Sequence, residues 1–183
     1  TINPDFEGYE YAYAQSLHAE HKLDEALAMV EKGLAKNEFD SILLLLASQY
    51  AYENHDSQAA EGYLLRAKED ADDMDEIILR LTNLYLEQER FDAVVALASN
   101  DLDNVLARWN IAKAYQALEE DEKALDLFDE LKVELAANPE FLADYIQALR
   151  QEGSISEAKE WAHRYLHLVP DDIAMQEFYN QED

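Results

Sequence analysis

Two histidine pairs come nearest to a chemically useful spacing in this 183-residue chain. His163 and His167 stand four residues apart and His18 and His21 three apart, so in a helix either pair shares one face and could in geometry share a metal ion. Two ligands on an exposed helix do not make a site, and half-buried or solvated histidines are the commoner case. No dedicated metal centre is expected. The 41 Asp and Glu residues supply many candidates for general acid or base work, but that work needs a pKa displaced by burial or a close partner. Each carboxylate falls where the helical pattern faces solvent. The chain has no Gly-rich phosphate loop, no Gly-x-Ser-x-Gly elbow, no His-Glu-x-x-His motif and no cysteine nucleophile. Neither an enzyme nor a cofactor is expected.

Charge narrows the partners. The formal net charge is −27, with only 14 basic residues, which makes approach to a phosphate backbone or an anionic membrane unfavourable. The acidic runs Glu69-Asp70-Ala71-Asp72-Asp73-Met74-Asp75-Glu76 and Glu119-Glu120-Asp121-Glu122 are either solvated loops or docking sites for basic proteins. The longest apolar run, Ile42 to Ala47, is too short to cross a bilayer, so no membrane insertion is expected. The lack of cysteine fits a reducing cytosol, and a cytoplasmic location is expected. The chain begins at Thr1 without Met or leader, which reads as a processed or excised fragment.

The elements that must carry these residues are helices. Four glycines and three prolines interrupt a sequence that is 49% hydrophobic, and no strand alternation of any length is seen. Self-similarity then organises the chain. A motif of Leu or an aromatic residue, acidic residues, then Ala and an apolar residue recurs with anchors Ala26, Ala60, Val94, Ala124 and Ala158, separated by 34, 34, 30 and 34 residues. A small residue recurs there because two helices of a hairpin cross at that point, and a larger one would hold their axes apart. Twelve residues earlier stand Ala14, Ser48, Thr82, Ala112 and Ile146, mostly small as well. Leu17, Ala51, Tyr85, Tyr115 and Leu149 follow these by three, and Val30, Leu64, Ala98, Phe128 and Ala162 follow the anchors by four, as buried helix stripes do. Asn3-Pro4, Asn138-Pro139 and Pro170-Asp171 mark helix starts; Asn54-His55-Asp56, Glu89-Arg90 and Gly153 mark turns.

This pattern resembles the tetratricopeptide repeat, in which small residues occupy the eighth and twentieth positions. The fourth copy, Arg108-Trp109-Asn110-Ile111-Ala112-Lys113-Ala114-Tyr115 through Ala124-Leu125-Asp126-Leu127-Phe128, matches best. The resemblance implies an all-α, right-handed superhelical α-solenoid of antiparallel helix hairpins, in a single domain over residues 1–183. Its repeats cover approximately 7–40, 41–74, 75–104, 105–138 and 139–170, and 171–183 forms a capping or truncated helix. The third copy is the poorest. Its step to the fourth is four residues short, about one helical turn, so its second helix is expected to be cut near Ser99 and the local superhelix altered there.

In that family the first helix of every repeat lines a concave groove. Carried over residue by residue, the groove takes Tyr11, Leu45, Leu79, Trp109 and Ala143 at the fifth position. At the ninth stand Gln15, Gln49, Asn83, Lys113 and Gln147, and at the twelfth His18, Tyr52, Leu86, Gln116 and Arg150. A row of carboxamides flanked by aromatic and aliphatic side chains can donate to and accept from a peptide backbone. Trp109, Tyr11 and Tyr52 are the expected anchors. The expected function is a non-enzymatic scaffold or adaptor for a protein or peptide, with basic partners favoured. The alternatives are a structural module that self-associates through its terminal helices and a peptide-sensing regulator.

Overall fold

The computed structural model describes residues 8–71, 74–99 and 101–181. The expected cap at Asn3-Pro4, and Asp72 and Asp73 of the acidic run, lie outside them. The described residues form helices joined by short turns, with no strand among them. The hairpins are α1 (Tyr9–Ala19) with α2 (Leu23–Leu34), α3 (Ser41–Glu53) with α4 (Ser57–Glu69), α5 (Asp75–Glu87) with α6 (Phe91–Val95), α7 (Val105–Ala117) with α8 (Asp121–Leu131), and α9 (Pro139–Glu152) with α10 (Ile155–Leu168). A single helix α11 (Ile173–Asn180) follows.

One turn closes every hairpin. The amides of Lys22, Asp56, Arg90, Glu120 and Ser154 donate to the carbonyls of Leu17, Ala51, Tyr85, Tyr115 and Leu149, at 2.8–3.0 Å. This bond, from each amide back to the carbonyl five residues earlier, requires the residue just before the donor to be left-handed. That residue is His21, His55, Glu89, Glu119 or Gly153, with φ between 55° and 94°. Only the fifth turn uses glycine, which adopts this conformation without the side-chain clash that an L-residue incurs. Two of the five histidines are thus accounted for by backbone geometry.

Asx caps start three of the first helices, α3, α7 and α9, and also α4 and α11. Side-chain oxygens of Asp40, Asn104, Asn138 and Asp172 accept from backbone amides in the first turns of α3, α7, α9 and α11. Pro139 follows its cap as expected, at the first helical position. Pro170-Asp171 does not start a helix. Asp172 is the cap of α11 instead, because its Oδ1 accepts from the Met175 amide at 3.0 Å while Tyr165 Oη holds its Oδ2 at 2.8 Å. Pro170 lies in the preceding turn, where its carbonyl accepts from Gln176 Nε2.

Packing divides the chain into two compact units, Thr1–Leu84 and Tyr85–Asp183. Within the first, α1 packs on α2, α2 on α3, and α3 on α4. The anchors Ala26 and Ala60 are buried, as are Ala14 and Ser48 opposite them. Gly33 brings α2 still closer, since a Cβ there would stand 2.5 Å from Leu43 Cδ1 and 3.1 Å from Glu10 Cβ. Glu10 departs from the expectation that every carboxylate faces solvent: it is buried and paired with Lys36 Nζ at 2.5 Å. In the second unit α6 packs on α7, α7 on α8 and α9, and α9 on α10, which receives α11. Its core gathers Phe128, Phe141, Tyr145, Ile146, Leu149 and Phe178 around the small residues Ala112, Ala124, Ala158 and Ala162. The second helix of the weak third copy has five residues, against eleven to fourteen in the others. It stops at Val95, just ahead of the expected limit near Ser99, and therefore leaves Ala98 exposed where the stripe pattern places a buried residue.

Candidate protein-binding face

In the first unit, three first helices carry the ninth-position carboxamides, and Gln15, Gln49 and Asn83 are all exposed. Beside them Tyr11, Leu45 and Leu79 are half-buried. Gln15 Nε2 donates to Tyr11 Oη at 2.9 Å along α1, and Gln49 Nε2 donates to Glu53 Oε1 at 2.9 Å along α3. The two helices are joined by His18, whose Nε2 lies 2.5 Å from Glu53 Oε2 and whose ring stacks on Tyr50 at 4.7 Å. Burial opposes the Glu53 charge, but hydrogen bonds from Gln49 and His18 outweigh it and hold the carboxyl below its ordinary pKa. Tyr50 is fully buried, and burial, with Glu53 and Tyr11 within electrostatic reach, pushes its phenol up. The outcome is a connected polar and aromatic cluster from Gln15 through Tyr11, Tyr50, His18 and Glu53 to Gln49. His18 is turned toward α3 and His21 sits in the hairpin turn, so the two do not act as a pair.

In the second unit the assigned residues divide. Gln147 and Arg150 are exposed, Leu86, Lys113, Gln116 and Ala143 half-buried, and Trp109 is buried with 8% of its surface accessible. The Trp109 ring meets Phe141 edge to face at 5.9 Å, its indole N–H donates to Asp144 Oδ2 at 2.9 Å, and Lys113 Nζ lies 4.5 Å above it. The indole therefore serves as wall between α7 and α9. Burial pushes the Lys113 ammonium down against the attraction of Asp144 and Glu140. Burial likewise pushes the Asp144 carboxyl up, against the indole hydrogen bond and Lys113. Arg150 lies 4.4 Å above the Phe178 ring, and Gln116 Nε2 donates to Gln151 Oε1 at 2.5 Å.

Residues absent from the sequence assignment hold the face together: Glu53, Arg80, Asp144 and Gln151. They share one register. His18 to Glu53, the Leu45 carbonyl to Arg80 Nη1, Trp109 to Asp144, and Gln116 to Gln151 each span 35 positions, one repeat plus one residue. Within each unit a position on one first helix therefore reaches the following position on the next. That rule is a signal the period itself contained. Among the described residues no three His, Asp or Glu side chains gather as a metal site, and His163 packs against His167 and Tyr179. No helix among them is long and apolar enough to cross a membrane.

Comparison with known proteins meets this geometry at the same repeats. Residues 106–172 match the family model for YpiA-like, C-terminal tetratricopeptide repeats. Over 171 residues the chain is 25% identical to the TPR repeat-containing protein YpiA of Bacillus subtilis (strain 168). The chain has a tetratricopeptide-repeat fold. The YpiA alignment takes in 91% of the chain but only 40% of that relative's length. Among solved tetratricopeptide-repeat structures, YrrB, a TPR protein with an unusual peptide-binding site, superposes with a TM-score of 0.72 at 15% identity, over 92% of this chain and 89% of its own. MamA does so with a TM-score of 0.70 at 15% identity, over 88% and 96%. At such identities these likenesses establish the tetratricopeptide-repeat fold.

Proposed function

We propose that the chain is a non-enzymatic interaction module whose first-helix face binds an extended peptide of another protein. The observation that carries this reading is the row of exposed carboxamides Gln15, Gln49 and Asn83 beside Tyr11, Leu45 and Leu79. A carboxamide both donates and accepts, so a row of them at repeat spacing matches the alternating donors and acceptors of an extended backbone. Apolar neighbours supply contact area for the peptide's side chains. The peptide-binding site of YrrB supports the reading from a protein of the same fold. With a net charge of −27, a basic partner is favoured, and the lack of cysteine fits a cytoplasmic location.

Panning a displayed peptide library against the chain provides the test. Selected peptides are expected to bind the Gln15→Ala, Gln49→Ala double variant about tenfold more weakly or worse, as loss of two to three hydrogen bonds implies. Equal binding by the double variant would sink the reading. A second reading, self-association through the terminal helix, draws on α11, where Ile173 is 69% exposed and Tyr179 also faces solvent. It requires a concentration-dependent mass in sedimentation that Ile173→Glu abolishes.

A further inference from the structure

Resting on that peptide-binding reading, we propose that the α1–α3 cluster of the first unit receives an arginine side chain of the bound peptide, with Glu53 as the anion that takes the guanidinium. Glu53 is held in place from two helices one repeat apart, by Gln49 on Oε1 and His18 on Oε2. A carboxylate offers about four lone-pair directions, so two hydrogen bonds leave room for further donors. The pair is open to solvent: His18 and Glu53 side chains are each 36% accessible, and Tyr52, on the same face three residues after Gln49, is 45% accessible.

Among the described residues no Lys or Arg is bonded to Glu53, whose partners are His18 and Gln49. Helices α1 and α3 contain neither Lys nor Arg. Arg80 on α5 directs Nε to Glu76 Oε1 at 2.6 Å and Nη1 to the Leu45 carbonyl at 3.1 Å. The face thus combines a positioned carboxylate, the imidazole plane of His18 backed by Tyr50, and an exposed phenol, within a strongly anionic molecule. A guanidinium fits such a set better than an ammonium: it is planar, stacks on ring faces, and presents forked N–H donors to a carboxylate. Gln15 and Gln49 stand beside it to engage the backbone on either side.

The test uses the full chain, isotopically labelled for NMR, at physiological salt so that diffuse attraction is screened. N-acetyl-arginine methylamide is titrated to roughly 20 mM, a range that registers weak single-residue contacts. Its uncharged, nearly isosteric citrulline counterpart is titrated in parallel. The arginine probe is expected to shift signals of α1 and α3, including the side-chain amides of Gln15 and Gln49, and citrulline to leave them in place. Glu53→Gln should weaken the response about tenfold, and Tyr52→Ala, at an exposed position, should weaken it about twofold or more. Absence of a localised shift, equal response to citrulline, or an undiminished response in Glu53→Gln overturns the proposal. Peptide selection separates it from the broader reading. If selected peptides depend on Gln15 and Gln49 but lack arginine and ignore Glu53→Gln, the arginine site falls and the peptide-binding face stands. If no selected peptide depends on the face, the broader reading falls with it.

Discussion

Trp109 shows how one side chain's direction separates an anchor from a wall. Its face is covered by Lys113, its edge by Phe141, and its polar atom is bonded to Asp144. Trp109→Ala is therefore expected to destabilise the second unit by about 3–5 kcal/mol, as deletion of a buried large aromatic does. Denaturant unfolding monitored by circular dichroism measures it. A loss of stability of this size would confound any binding assay made with that variant, which is why the exposed Gln15 and Gln49 are the better probes. Glu10 makes a second residue-level prediction. The hydrogen bond from Lys36 is the largest cause holding its carboxyl below the ordinary glutamate value in the folded chain. A depressed folded pKa contributes stability that is present above the unfolded value and lost as pH falls through the folded one. Glu10→Gln should thus be less stable than the parent at pH 7, and the gap should close once acid has protonated both states of the parent's Glu10. Urea midpoints measured across that range check the closure.

At the scale of elements, the five hairpins share one closing geometry but not one closing residue. Gly153 adopts φ 94° freely, whereas Glu119 at φ 59° and Glu89 at φ 55° adopt a conformation that L-residues rarely take. Gly153→Ala is expected to cost roughly 1 kcal/mol or more, and Glu119→Gly to stabilise by about 0.5–1 kcal/mol. Thermal melts of the two variants should move in opposite directions from the parent. A common direction would refute the shared turn geometry. The shortened α6 belongs to this scale as well. The step of 30 residues between Val94 and Ala124 predicts the missing helical turn, and α6 ends at Val95.

For the whole molecule the governing quantity is charge. With a net charge of −27, self-repulsion opposes compaction, and added salt screens it over a Debye length of about 8–10 Å. The melting temperature is expected to rise as sodium chloride increases from low to roughly physiological strength. A melting temperature that falls over that range would mean that the specific ion pairs, such as Arg80–Glu76 and Lys132–Asp129, outweigh the general repulsion.

How much of this was legible beforehand follows from the kind of force involved. The helical class, the repeat period, the crossing residues Ala26, Ala60, Ala124 and Ala158, and the turn at Gly153 are set by local conformational preference and by the closeness of helix axes, which act on residue type and spacing. They could be read from the sequence. The exposed carboxamide row followed from the family resemblance once the register was known. Whether Trp109 faced a partner or its own neighbour, which acid would take His18, and that Glu10 would be buried against Lys36 are decided by long-range packing between helices 26 to 35 positions apart. Local spacing places such residues on a face but leaves the side chain's direction open. The register of one repeat plus one residue, fixed only when successive first helices pack together, determined which partner Trp109 and His18 met.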